Sequence, residues 1–263
     1  MTEIDKIICG DNVSVLETFE DNYFDLTVTS PPYDQLRDYN GYSWDFEGLA
    51  RQLFRVTKDG GVVVWVVGDA TIKGSESGSS FKQALFFKEI GFNLHDTMIW
   101  NKGCFSAVGS LKVRYAPVFE YMFILSKGVL KTFNPIKDKK NKHGGGIKRG
   151  TIRKSDGTTK RMSNEGKRYG EFGQRYNIWD IFPQSIDGHP APFPENLAND
   201  HIISWSNPGD LVLDPFSGSG TTAKMAKAIG RHYIGIEISE EYCKISENRV
   251  NSISRNMFDE VLC

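Results

Sequence analysis

Ser30, Pro31, Pro32 and Tyr33 follow directly on an apolar run, residues 23–28, so that a strand breaks at once into the turn TSPPY. Two consecutive prolines remove two backbone donors and fix two φ angles, which makes the turn stiff and leaves its carbonyls to accept bonds from a ligand. Such a turn suits a flat polar group carrying an amine. The lone pair of an exocyclic amine on cytosine or adenine is delocalised into the ring. The hydroxyl of Ser30 and the carbonyl of Pro31 can accept its two N–H bonds and favour the pyramidal nitrogen reached when the amine attacks a methyl group. Pro32 stiffens the turn, and Tyr33 offers a ring on which a base taken out of a duplex can stack. The competing reading is a plain strand terminator.

About 180 residues later, residues 211–222 read LVLDPFSGSGTT, a strand opening through a glycine-rich turn into a helix. Gly218, Gly220 and Ala223 satisfy the G-x-G-x-x-A pattern, and Glu237 ends the following strand, a spacing compatible with a nicotinamide dinucleotide. Asp214, ahead of the glycines, would repel a pyrophosphate but would welcome a cationic amino group. The 26 residues after Glu237 are also too few for a second dinucleotide half. S-adenosylmethionine, with an ammonium, a sulfonium and no phosphate, fits better. On that reading Gly218 and Gly220 pass under the cofactor, Glu237 accepts from the ribose hydroxyls, and Asp11 accepts from the adenine amine. Asp11 can equally cap a helix starting near Val13.

The elements that must position these residues alternate. Apolar runs at residues 6–9, 23–28, 62–67, 94–100, 118–125, 211–213 and 233–236 predict seven strands, and residues 44–56, 80–90, 195–204, 221–229 and 240–250 carry helical periodicity. This predicts an α/β fold with a mostly parallel sheet covered on both faces. Residues 118–125 follow their predecessor without a clear helix and are expected to run antiparallel. Polar loops at residues 34–43 and 69–79 follow strands and belong at the carboxyl edge, where α/β ligands bind.

The chain has 263 residues, 39% of them hydrophobic, and a formal net charge of -1. That near-neutrality hides a contrast. Residues 127–175 hold 15 Lys and Arg against 4 Asp and Glu. The cluster reads as a solvated insertion or as a surface for a phosphate backbone, with a small hairpin expected near residues 154–160 around Asp156-Gly157. Four scattered cysteines, with no CxxC pair, predict reduced thiols in a cytoplasm and no zinc site. No apolar run is long enough to span a bilayer, so no membrane partner is expected. No P-loop and no HExxH is present, and the chemistry at SPPY requires no metal.

With both strings in order, the chain resembles the beta-class DNA methyltransferases that modify exocyclic amino groups, over roughly residues 6–250. The resemblance implies a cyclically permuted seven-stranded Rossmann-like S-adenosylmethionine-dependent methyltransferase fold, with residues 1–130 and 176–263 catalytic and residues 131–175 an inserted target-recognition region. It places the catalytic tetrapeptide on Ser30, Pro31, Pro32 and Tyr33. The cofactor loop falls on Asp214, Pro215, Phe216, Gly218, Gly220 and Thr221, and the following acid on Glu237. Residues 189–202 are similar to the family's helix before the cofactor strand, which brings Phe193, Pro194 and Glu195 to the methionine end of the pocket. Serine at the first catalytic position is typical of N4-cytosine members; N6-adenine members more often carry aspartate there. The resemblance also implies double-stranded DNA as substrate, a homodimer, and a cognate restriction endonuclease as partner. A DNA-binding protein without activity and a nicotinamide-dependent oxidoreductase are the more distant readings.

Overall fold

A computed structural model describes residues 4–32, 44–103, 111–183 and 193–253. The first part of the chain forms β1 (Lys6–Cys9), α1 (Asn12–Leu16), β2 (Phe24–Thr29), α2 (Phe46–Val56), β3 (Thr57–Val67), β4 (Thr71–Ile72), β5 (Ser75–Glu76), α3 (Ser79–Glu89), β6 (Asn93–Asn101) and β7 (Phe119–Ser126). Then follow β8 (Lys139–Lys140), β9 (Thr151–Arg153), β10 (Thr159–Arg161), β11 (Phe172–Gly173) and β12 (Ile178–Asp180). The chain continues through α4 (Glu195–Trp205), β13 (Leu211–Asp214), α5 (Thr221–Ala228), β14 (His232–Glu237) and α6 (Glu240–Asn251).

One sheet runs β1-β14-β13-β2-β3-β7-β6-β12. All its pairings are parallel except those of β7, which runs antiparallel to both β3 and β6, as the missing helix before it predicts. The sheet has eight strands, not the expected seven. The extra one, β12, is an edge strand of three residues in which Trp179 alone is buried, so no alternation long enough to read exists in the sequence. Its Trp179 joins the core on one face, where α4 and α5 bury Leu197, Ile202 and Ala226 against Leu26, Val64 and Val212. On the other face Leu49, Leu53 and Phe87 of α2 and α3 pack on Val63, Trp65, Leu213 and Ile234. Central strands buried on both faces explain why β3 reads as a continuous apolar run from Val62 to Val67.

At the carboxyl edge, the loop after β3 contains the short hairpin β4–β5. Gly78 at the N-terminus of α3 has no capping side chain, and Asp69 replaces it, accepting from the Ser80 N–H at 2.9 Å and the Ser80 hydroxyl at 2.5 Å. Burial raises the Asp69 pKa, but the bonds from Ser80, Ser77 and Ser79 outweigh it and leave the carboxyl below its usual range.

The chain divides into two compact units, Met1–Asn134 with Asn177–Cys263, and Pro135–Tyr176. The smaller unit contains two two-stranded ribbons, β8 with β11 and β9 with β10. The second of these is the hairpin expected around Asp156-Gly157. Among the described residues no helix is long and apolar enough to cross a membrane.

Candidate active site

The two motifs meet because β13 pairs directly with β2, with Val212 opposite Leu26 and Leu213 opposite Thr27. Their ends therefore emerge side by side at the carboxyl edge. Two buried side chains then pin them together: the Thr29 hydroxyl donates to Asp214 Oδ1 at 2.7 Å, and the Thr222 hydroxyl donates to the Val28 carbonyl at 3.2 Å. Ser30 and Pro31 thus start from a strand end that is bonded to the glycine-rich turn. Pro31 is buried and Pro32 half-buried. Tyr33 lies outside the described residues, as does the predicted loop at residues 34–43.

Asp214 is 6% exposed, and Phe216 N–H also donates to its Oδ1, at 3.1 Å. Burial pushes its pKa up to about 6, against the lowering effect of the bonds from Thr29, Phe216 and Thr222, and with a further push from the Glu237 charge. Glu237, at the end of β14, is held by Gly218 N–H on Oε2 at 2.8 Å and by Ser239 N–H on Oε1 at 2.9 Å. Each oxygen retains a lone pair for a hydroxyl.

Gly220 has φ 79°, and a Cβ there would lie 2.1 Å from Ser246 Oγ. The glycine is therefore required first for the approach of α6. A glycine-rich pattern by itself also fits simple tight packing, but which element packs there, α6 under the turn, is visible only in three dimensions. Phe216 turns its ring edge-on to Trp44, with centroids 5.0 Å apart, and Pro215 is buried. Thr221 opens α5 and is buried.

Asp11 caps α1, its Oδ1 accepting from both the N–H and the hydroxyl of Ser14 at 2.9 Å. This is the alternative weighed for it from the sequence. Its neighbour Asn12 escaped the sequence reading. Asn12 Nδ2 donates to the Pro215 carbonyl at 3.3 Å, which fixes the amide orientation and leaves Oδ1 buried with no partner among the described residues. Phe193 packs against the core with its ring 6.5 Å from Trp100, and Pro194 precedes the first turn of α4. Glu195 Oε1 accepts from Lys224 Nζ at 2.6 Å and from Arg249 at 2.9 Å, tying α4 to α5 and α6.

Arg249 is the second residue the sequence did not single out, since a lone arginine in a last helical turn carries no motif. It donates to the Ser219 carbonyl at 2.5 Å, to the Ser219 hydroxyl at 2.7 Å and to the Thr221 hydroxyl at 3.3 Å. It therefore anchors the glycine-rich turn from beneath. Arg249→Ala is expected to weaken S-adenosylmethionine binding by about tenfold through a loosened turn, the worth of a charged hydrogen bond or two, measured by calorimetric titration. An unchanged Kd would show that the turn holds itself.

A turn flanked by two carboxylates, Asp214 and Glu237, disfavours a phosphate. The unmatched acceptor of Asn12 lies against the same turn and suits a donor. The residues present thus fit a nucleoside that carries an ammonium and no phosphate, and fold and site together define an S-adenosylmethionine-dependent methyltransferase. The chain belongs to the N6/N4 DNA methylase family, whose pattern it matches over residues 24–248. It is 57% identical over 246 residues to the orphan methyltransferase M.BamHII of Bacillus amyloliquefaciens, with 90% of this chain and 92% of the relative covered. It is also 29% identical to the DNA adenine methyltransferase YhdJ of Escherichia coli K12, with 98% and 87% covered. Among solved structures, the cytosine-N4-specific PvuII DNA methyltransferase has the same fold at 21% identity and TM-score 0.66, covering 97% of this chain and 89% of that one.

Proposed function

We propose that the protein methylates the N4 amino group of cytosine in double-stranded DNA. The observation that carries this reading is Ser30 at the first catalytic position, placed where β2 is bonded through Thr29 to the cofactor turn. Bound S-adenosylmethionine supplies the electrophilic methyl group. Asp214 receives the ammonium, Glu237 the ribose hydroxyls, and Asp11 or Asn12 a donor of the adenosine, with Pro215, Phe216, Gly218, Gly220 and Thr221 shaping the turn. Phe193, Pro194 and Glu195 close the methionine end. The Ser30 hydroxyl and the Pro31 carbonyl accept from the amine and aim its lone pair, and Tyr33 stacks the flipped base. Serine is too weak a base to ionise the amine beforehand, so the proton leaves after methyl transfer, when nitrogen carries positive charge.

N6-adenine methylation is the second reading, favoured by the relationship to the adenine methyltransferase of Escherichia coli. Both amines present the same two hydrogens to Ser30 and Pro31. Nucleoside mass spectrometry of DNA incubated with protein and S-adenosylmethionine is expected to show N4-methylcytosine. N6-methyladenine in its place would select the second reading, and no methylated base on any DNA would remove both.

Residues 131–175 form the target-recognition region in this proposal, supported by the 13 Lys and Arg that the compact unit Pro135–Tyr176 carries. Exposed Phe81 and Leu85, one turn apart on α3, supply an apolar surface for a homodimer, which light scattering tests. The protein would work on DNA in the cytoplasm, beside a cognate restriction endonuclease, a reading supported by its 30% identity to the type II methyltransferase M.BglII of Bacillus subtilis.

A further inference from the structure

The ribbon of β9 and β10 stands out in the smaller unit because all six of its residues are exposed, on both faces. A two-stranded ribbon is marginally stable alone, and one that packs neither face of its own has a surface left for a partner. Its register places Thr159 opposite Arg153, Lys160 opposite Ile152 and Arg161 opposite Thr151. Residues directly opposite share a face, and successive residues alternate. One face therefore presents Thr151, Arg153, Thr159 and Arg161, and the other Ile152 and Lys160.

The tip is well formed. Asp156 Oδ1 accepts from the Thr158 N–H at 2.9 Å and from the Thr158 hydroxyl at 2.6 Å, and Lys154 N–H closes the turn on the Thr158 carbonyl. The only acid in residues 151–161 is thus engaged in the turn, whereas four cations flank it. Among the described residues Arg153 has no side-chain hydrogen bond or ion pair. Arg161, with its side chain 86% exposed, has only a 3.8 Å approach to Glu165.

We infer that the β9–β10 ribbon enters the major groove of the DNA and reads base edges with Arg153 and Arg161, Thr151 and Thr159 standing beside them. The inference rests on the DNA methyltransferase reading and goes beyond it by naming the reading element, its groove and its face. Strands about 5 Å apart, with side chains, fit a major groove about 12 Å wide. A guanidinium donates two parallel bonds to guanine O6 and N7, so the ribbon calls for guanine within the recognition site. The lysines elsewhere in the unit, such as Lys137 and Lys142, are the sequence-independent phosphate contacts.

The test selects bound duplexes from a random library and, in parallel, maps methylated positions on unmodified genomic DNA. Arg153→Ala and Arg161→Ala are each expected to relax the selected sequence at a guanine position, with discrimination lost by about tenfold to hundredfold. Lys137→Ala is expected to lower affinity for all sequences alike and to reduce the salt slope by about one. An unchanged site in both arginine variants overturns the assignment, and so does equal loss of specific and non-specific binding. Relaxation seen only in Ile152→Ala or Lys160→Ala overturns the choice of face. A wild-type protein that methylates no DNA removes the underlying reading instead, so the two failures are distinguishable.

Discussion

Ser30→Ala is expected to lower turnover by about a hundredfold to a thousandfold, the usual cost of deleting one oriented hydrogen-bonding group in an active site, with the cofactor Kd left within about twofold. The physical reason is that, in the proposed function, the Ser30 hydroxyl accepts from the amine of the base and not from the cofactor. The cofactor turn is held by other groups: Asp214 by Thr29 and Phe216, Ser219 by Arg249, and Gly218 by Glu237. Single-turnover methylation under saturating DNA separates the chemical step from product release, and calorimetry reports the Kd. A loss confined to cofactor affinity would move Ser30 out of the catalytic step.

Asp214→Asn is expected to weaken S-adenosylmethionine binding at pH 7.5 by about a hundredfold, as removing the charge from a buried, hydrogen-bonded partner of an ammonium costs roughly 3 kcal/mol. The wild-type protein is expected to show a pH dependence that the variant lacks. Without cofactor the Asp214 carboxyl titrates at about 6. An ammonium requires the carboxylate, so a proton competes with it below that value. Affinity then falls by about tenfold per pH unit once pH drops well under 6, and is flat above it.

Stability of the cofactor-free protein runs the other way. The folded pKa lies above the unfolded one, so the folded state binds the extra proton between them. Stability is therefore lost as pH rises from about 4 to about 6, by about 3 kcal/mol in all. Denaturant titrations across that window, together with calorimetry from pH 5 to 7.5, check both signs. The same pH slope of binding in Asp214→Asn would assign the titration to another group.

Much of this site was legible because its parts are local. TSPPY and DPFSGSGTT are strand ends whose prolines and glycines dictate backbone geometry within a few residues, and the run from Val62 to Val67 is continuous because a central strand is buried on both faces. The hairpin at β9–β10 was readable from Asp156-Gly157 for the same reason. What escaped notice has the opposite character. β12 has one buried residue in three, Asn12 is an ordinary polar residue beside a recognised one, and Arg249 is a surface-type residue in a last helical turn. Each acquires its role from a partner far away in the chain.

The alternation of strands and helices, the nature of the two turns and the concentration of cations in one segment were determined by the sequence alone, because steric limits on proline and glycine, hydrophobic periodicity and charge all act along the chain. Only the tertiary structure decided how the turns combine. Pairing of β13 with β2 brings Thr29 to Asp214 across 185 residues, α6 presses Ser246 against Gly220, and burial by that packing pushes the Asp214 carboxyl up to about 6. Those are effects of desolvation and close approach, and neither exists until the chain has folded.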